Sequence, residues 1–254
     1  TQDYEYSGRH DNAELRLSRL VHRDGSGKTT LSAGIFRRES KSFIEDTEVL
    51  VQRRHAGGWL AAVDHRHYFG DIVVDANLTF KRGTGAFGAI SAPEEAFGEG
   101  TARYQILTAN LGYAIPFTAA GRRWTYAGEL RAQRENTRLA PPEQFSIGGR
   151  YTVRGFDGET ILAAERGFLL RNELATPLSA FGQSFDAYAG LDYGEVSGPS
   201  ADLLVGKRLA GAVIGVRGQV KGVRYDVFAG TPLYKPDGFD APDLTAGFEL
   251  RYSF

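Results

Sequence analysis

Trp124-Thr125-Tyr126-Ala127-Gly128-Glu129-Leu130-Arg131-Ala132-Gln133 decides the fold class, because apolar and polar residues trade places at nearly every step. Side chains of an extended strand point alternately to opposite faces. Trp124, Tyr126, Leu130 and Ala132 therefore share one face, and Thr125, Glu129, Arg131 and Gln133 share the other. A helix would scatter both sets around its axis. The same two-residue period runs through 72–81, with Val73 the exception, and through 107–115, 185–193, 223–229 and 248–254. Weaker copies occupy 13–22, 29–38, 48–55, 59–69, 168–175 and 207–216. The pattern predicts twelve strands plus a stub at Gln2–Tyr6, and no segment carries a convincing helical period.

Alternation alone also fits a soluble β-sandwich. Three features favour a transmembrane antiparallel β-barrel. The expected strands run about 10 residues, the span of a tilted bilayer-crossing strand, against about 5–6 in soluble sheets. Their polar face carries dense charge of both signs, as a wet lumen would. Connections also alternate in length. Short ones fall at Gly70–Asp71, Thr118–Arg122, Thr176–Gln183 and Gln219–Gly222; long ones fall at Lys81–Gly100, Glu135–Glu165, Val196–Gly206 and Thr231–Asp243. Asp24–Lys28 and His55–Gly58 break this rule, being short on the expected long side. Aromatic residues gather near strand ends, as interfacial girdles do. The last outward row, Phe248, Leu250, Tyr252 and Phe254, ends the sequence on an aromatic residue, the expected signal for the barrel assembly machinery.

Composition narrows the function classes. The chain has 254 residues, with 30 Lys+Arg against 31 Asp+Glu, so no basic surplus argues for nucleic acid. It has no cysteine, which removes disulfide frameworks, thiol nucleophiles and cysteine zinc sites. Glycine is high at 32 residues, which suits tight turns and crowded barrel interiors. The longest nearly unbroken apolar run, Leu209–Val216, is far short of the ~20 residues a transmembrane helix needs.

Few motifs suggest chemistry. Asp24-Gly-Ser-Gly-Lys-Thr-Thr30 imitates part of a P-loop, but His22 stands where the first glycine belongs and no helix follows. A hairpin turn is the better account. His65 and His67 share a strand face without an obvious third ligand, so no metal is expected. No nucleophile elbow and no paired-histidine zinc motif occurs. The chain is not expected to be an enzyme or to hold a cofactor.

The informative segment is the 31-residue connection Glu135–Glu165, well beyond the ~12–15 residues at which loops are usually functional or disordered. It contains Ser146-Ile-Gly-Gly-Arg-Tyr-Thr-Val-Arg-Gly-Phe-Asp-Gly-Glu159. Val153 and Phe156 have no place in a solvated loop, and Gly155 between Arg154 and Phe156 permits a sharp reversal. These residues predict a loop folded back inside the barrel and anchored by Val153 and Phe156. Arg154 would seek a carboxylate on the wall, since an unpaired buried charge is costly. Asp192 and Glu173 are the two candidates.

IGGRYTVRGFDGE (147–159), followed by ERGFLLRNEL (165–174), resembles the motif core of two-partner secretion transporters. These are the TpsB proteins of the ShlB/FhaC/HecB type, which share a superfamily with the BamA assembly factor. YAGLD (188–192) is similar to the family strand motif bearing an aspartate, and ELRYSF (249–254) fits the family terminus. The resemblance implies a 16-stranded outer-membrane barrel of a Gram-negative bacterium, with two periplasmic POTRA domains and a plug helix ahead of it. Residues 1–254 would be the C-terminal part of that barrel, its last 12–13 strands, with POTRA domains and first strands outside the chain. With Glu135–Glu165 between the family's eleventh and twelfth strands, Gln2–Tyr6 would end the fourth. The implied activity is translocation of a large unfolded exoprotein of the TpsA type, whether adhesin, haemolysin or contact-dependent toxin. A BamA-like insertase and a passive porin are the alternatives. Lumen charges such as Glu129, Arg131, Arg171 and Asp226 would hydrate the passing chain. Outer-membrane lipids and the assembly machinery are the other implied partners.

Overall fold

The computed structural model describes residues 4–180 and 182–252. Its elements in chain order are β1 (Tyr6–Arg23), β2 (Gly27–Ile44), β3 (Thr47–Glu48), β4 (Arg54–Phe69), β5 (Ile72–Thr84), β6 (Gln105–Ala119) and β7 (Arg122–Glu135). They continue with β8 (Phe145–Ile147), β9 (Leu162–Ala164), β10 (Arg166–Ala180), β11 (Gln183–Ser197), β12 (Arg208–Val220), β13 (Val223–Tyr234) and β14 (Thr245–Tyr252). One twelve-stranded sheet runs β1-β2-β4-β5-β6-β7-β10-β11-β12-β13-β14, with β3 paired to β2; β8 and β9 form a separate hairpin. Long strands such as β1 with 18 residues and β10 with 15 exceed the expected span, so their ends project past any bilayer core. No helix among the described residues is long and apolar enough to cross a membrane.

Two expectations are corrected. Residues 48–55 are not one strand: Glu48 ends β3, and Arg54 and His55 open β4. Glu45 and Asp46 take φ of 49° and 62°, the paired positive values of a type I′ hairpin turn. β2 thereby folds onto the two-residue β3, and a 3-10 turn at Leu50–Gln52 leads into β4. The second correction concerns Gln2–Tyr6. Gln2 and Asp3 lie outside the described residues, and Tyr6 opens the same β1 that contains 13–22, so stub and strand are not separate elements. Among the described residues, six long strands then precede the 135–165 connection and five follow it. The two exceptions to the alternation of connection lengths vanish as well. Short connections follow β1, β4, β6, β10 and β12; long ones follow β2, β5, β7, β11 and β13. The false strand had inverted the parity of everything before it.

The chain forms two compact units. The first comprises residues up to 65, 77–109 and 133–144. Its core is Phe36, Tyr104, Ile106 and Leu139. Lys81 Nζ sits 4.4 Å from the Phe36 ring centroid and 3.3 Å from Glu143, which also accepts Arg38 Nη1 at 2.7 Å. The departing leg of the long loop is thus tied down by one carboxylate between two cations.

The second unit comprises 66–76, 110–132 and 145–254. Its sheet shows the two faces that alternation requires. On β11, Tyr188, Gly190, Asp192, Gly194 and Val196 are buried while Leu191 is 60% exposed; on β12, Leu209, Gly211 and Val213 are buried while Ile214 is 65% exposed. Phe248, Leu250 and Tyr252 on β14 are all more than half exposed; Phe254 lies outside the described residues. Apolar rows left bare on the outer face are what lipid covers in a barrel wall.

Candidate functional site

The site begins as a hairpin. β8 and β9 pair antiparallel from Phe145↔Ala164 to Ile147↔Leu162 and close the neck of the loop. Beyond the neck, the Thr152 hydroxyl accepts the Gly148 and Gly149 amides at 3.1 and 3.0 Å and donates to the Gly149 carbonyl. This local knot turns Val153 and Phe156 inward. Both are at most 1% exposed, packed with Ile147, Leu162, Leu169 and Leu209, and Phe156 meets Phe239 edge-on at 5.7 Å. A loop with its own apolar core on the sheet is not a mobile surface segment.

Arg154 is held between two wall strands. Its backbone amide and Nε donate to Asp192 Oδ2 at 2.9 and 2.7 Å, and Nη2 donates to Asp192 Oδ1 at 2.8 Å. Nη1 donates to Glu173 Oε2 at 2.7 Å, and Nη2 also reaches the Asn172 carbonyl at 3.2 Å. Arg154 thus meets both candidate carboxylates, with Asp192 taking the bidentate pair that the planar guanidinium favours. The Asp192 side chain is fully buried and that of Glu173 partly so. Burial opposes the Arg154 charge, but bonding and attraction from Asp192 and then Glu173 more than offset it, so its pKa is raised. The pair sits in a charge chain. Glu173 Oε1 binds Arg217 Nη1 at 2.7 Å, Arg217 lies over the Tyr188 ring, and Tyr188 donates to Asp226 at 2.7 Å. Asp186, Arg217, Arg224, Asp226, Glu249 and Arg251 line an adjoining open space of about 560 Å³.

The seat itself was not legible as a site. Glycines fill the wall under the loop tip. A Cβ on Gly211 would lie 1.9 Å from the Arg154 carbonyl oxygen, and one on Gly190 would lie 2.5 Å from Arg154 Nη2. Gly194 makes room for Ile147 and Val153. Gly155 has φ +103°, and its added Cβ would meet Thr231 O at 2.4 Å. Gly190 and Gly194 flank Asp192 on the same strand face. That spacing, glycines two residues either side of a buried acid, is a readable sign of close backbone approach.

Glu165 was missed altogether. Its side chain is 1% exposed and accepts Ser200 N and Oγ at 3.1 and 2.7 Å, fastening the 3-10 turn Pro199–Leu203 over the loop base. Removing a buried hydrogen-bond acceptor costs about 1–3 kcal/mol. Glu165→Ala is therefore expected to speed proteolysis within 198–207 several-fold in the folded protein. Ser200→Ala, which spares the amide bond, should produce a smaller increase. Equal proteolysis of Glu165→Ala and the parent would remove this clasp.

The other singled-out residues do different work. Asp24 Oδ1 accepts Ser26 N, Ser26 Oγ and Gly27 N, each at 2.8 Å, which makes Asp24–Gly27 a hairpin turn. The Ser26 side chain and amide, then His22 and Gly27, hold its carboxyl well below the usual range. His65 Nδ1 bonds Thr29 Oγ1 at 2.8 Å, and the His67 ring meets Phe69 at a tilt, 4.1 Å between centroids. No cluster that could hold a metal occurs among the described residues.

The family profile described as haemolysin secretion/activation protein ShlB/FhaC/HecB matches residues 1–218. The outer membrane transporter CdiB-2 of Burkholderia pseudomallei (strain 1026b) is 38% identical over 257 aligned residues, covering 100% of this chain and 44% of that protein. The structure of CdiB from Acinetobacter baumannii superposes with a TM-score of 0.85 at 31% identity, over 99% of this chain and 43% of the other. CdiB from Escherichia coli gives 0.88 at 27% identity, over 97% and 46%. The chain spans less than half the length of the relatives it matches.

Proposed function

The chain belongs to the haemolysin secretion/activation family ShlB/FhaC/HecB, and from that premise we propose that it forms the C-terminal part of an outer-membrane pore for two-partner secretion. Its fold is that of an antiparallel outer-membrane β-barrel, and its location is the Gram-negative outer membrane. POTRA domains lie outside these residues, as do the further strands that complete the barrel. The cargo is a large exoprotein, unfolded in transit. The periplasm supplies no nucleotide, so folding of the exoprotein outside draws it through.

The inward loop is the controlling element. The observation that carries this reading is the seating of Arg154 on Asp192 and Glu173, with its carbonyl against Gly211. A loop so fixed is a discrete two-state element: it is either seated or it is not. The adjoining charged wall carries both signs, so it hydrates a passing chain without binding it tightly. Lipids cover the outer apolar rows. Phe248, Leu250, Tyr252 and Phe254 are the handle for the assembly machinery.

Export of the partner exoprotein tests the proposal. Cells carrying the intact transporter gene and its partner release the exoprotein, and deletion of the transporter gene abolishes release while other outer-membrane proteins assemble normally. A general assembly defect on deletion would point to an insertase. Steady solute conductance without export would point to a porin.

A further inference from the structure

On β10, Arg171 and Glu173 point to the loop face, so Asn172 between them points to the outer face. An amide halfway along a lipid-facing strand is costly unless its hydrogen bonds are met. Its Oδ1 is met by two tyrosines, and its Nδ2 donates to the Leu191 carbonyl at 3.4 Å. Tyr126 Oη donates to Asn172 Oδ1 at 2.6 Å, while Tyr113 Oη lies 3.3 Å from that atom and 3.2 Å from Tyr126 Oη. The Tyr113 ring lies over Gly128, where a Cβ would come within 2.2 Å of it. Three strands, β6, β7 and β10, are thereby tied together on the outer face at one residue.

That residue also touches the Arg154 site from the other side of the sheet. The Asn172 carbonyl accepts Arg154 Nη2 at 3.2 Å. It does so beside Gly190, whose added Cβ would lie 2.7 Å from the same oxygen. One residue thus carries the outer tyrosine bonds on its side chain and a bond to the loop on its backbone.

We propose that Tyr113, Tyr126 and Asn172 are positioning residues for the inward loop: the lipid-facing hydroxyls fix Asn172, and Asn172 holds its carbonyl where Arg154 needs it. In hydrocarbon no water replaces a deleted hydroxyl, so loss of the tyrosine bonds frees the amide to seek other partners and shifts the strand locally. The outer face of the wall then sets how firmly the loop is seated. This rests on the loop being the controlling element, and the test reads seating directly rather than export.

These 254 residues hold no cysteine, so in the full protein with any cysteine elsewhere replaced, Val153→Cys supplies a single small thiol at a position that is 0% exposed. A membrane-impermeant maleimide is applied to intact cells making the full protein, and the labelling rate of that thiol is measured. Heat-modifiable mobility on gels reports barrel assembly, and export is followed in parallel. Tyr113→Phe/Tyr126→Phe is expected to raise labelling roughly fivefold, the equivalent of one lost hydrogen bond, with assembly unchanged. Tyr225→Phe removes another tyrosine hydroxyl, one whose ring lies over Gly218, and should label like the parent. Should the double variant not assemble, Asn172→Ser, which removes the carboxamide and with it both the tyrosine bonds and the Nδ2 bond to the Leu191 carbonyl, carries the same criterion. Labelling equal to the parent overturns the proposal, as does rapid labelling in the parent itself. Slow parent labelling with export absent would count against the transport reading alone.

Discussion

Replacing Arg154 with alanine is expected to cut export of the partner exoprotein by about tenfold or more, while the barrel still assembles and keeps its heat-modifiable mobility. Breaking a buried ion pair from one side typically costs ~3–5 kcal/mol, because the other charge is stranded. Here the stranded groups keep partial compensation. Arg171 Nε remains 3.7 Å from Asp192, and Arg217 remains 2.7 Å from Glu173. The expected loss is therefore at the low end, roughly 3 kcal/mol, still more than a hundredfold in the seating equilibrium. The barrel's strand ladder does not pass through Arg154, which is why assembly is spared. Normal export from Arg154→Ala would remove the Arg154 ion pair from the mechanism.

The carboxylates should rank in order of what they hold. Asp192 accepts three bonds from Arg154, including its amide, and its side chain is wholly buried. Glu173 accepts one bond from Arg154 and has Arg217 besides. Asp192→Ala should mimic Arg154→Ala, and Glu173→Ala should fall well short of it. The Arg154→Ala/Asp192→Ala double variant should be little worse than either single, since contacting partners are non-additive. Arg154→Lys should also fail, because a point ammonium cannot reproduce a fork shared among two carboxylates and a carbonyl.

How much of this was legible follows from which physics each residue obeys. Alternation is local, so the faces of β7, β11 and β14 could be read from the residues themselves. Glu48–His55 was misread because its short alternating stretch mimics a strand. The deciding fact, positive φ at Glu45 and Asp46, belongs to two residues with no strong preference for it. One false strand then reversed the ends assigned to every earlier connection. Val153, Arg154 and Phe156 were legible because apolar residues around a lone cation are out of place in a long solvated loop. The seat beneath them was not. Gly190, Gly211 and Gly230 (at the last of which an added Cβ would lie 3.0 Å from Gly155) come from three strands and converge only in the folded sheet, so to a reader of sequence they were excess glycine. Glu165 and Ser200 likewise meet across 35 residues.

The second large effect belongs to that seat. Gly211→Ala is expected to unseat the loop and abolish regulated export even though Arg154, Asp192 and Glu173 all keep their charged groups. The added Cβ would stand 1.9 Å from the Arg154 carbonyl oxygen, and ordinary contact begins at 3.4 Å. The obstacle is backbone, so no side chain can swing aside. Overpacking of this kind costs about 1–3 kcal/mol, and a rigid neighbour on a paired strand places it at the upper end. Gly155→Ala attacks the neighbouring contact of the same loop tip, from the loop side. It adds strain at φ +103° to a clash with Thr231 O. Because both changes break one fit, the double variant should be scarcely worse than Gly211→Ala. Gly112→Ala supplies the contrast, since a Cβ there meets nothing closer than Gly128 O at 4.0 Å, and it should export normally. The readouts are export and maleimide labelling of Val153→Cys. If Gly211→Ala exports normally with the thiol still protected, shape is not what seats the loop, and the Arg154 ion pair holds it alone. If Gly211→Ala fails while Arg154→Ala exports, the order is reversed: the glycine floor carries the loop, and the buried charges only choose its register.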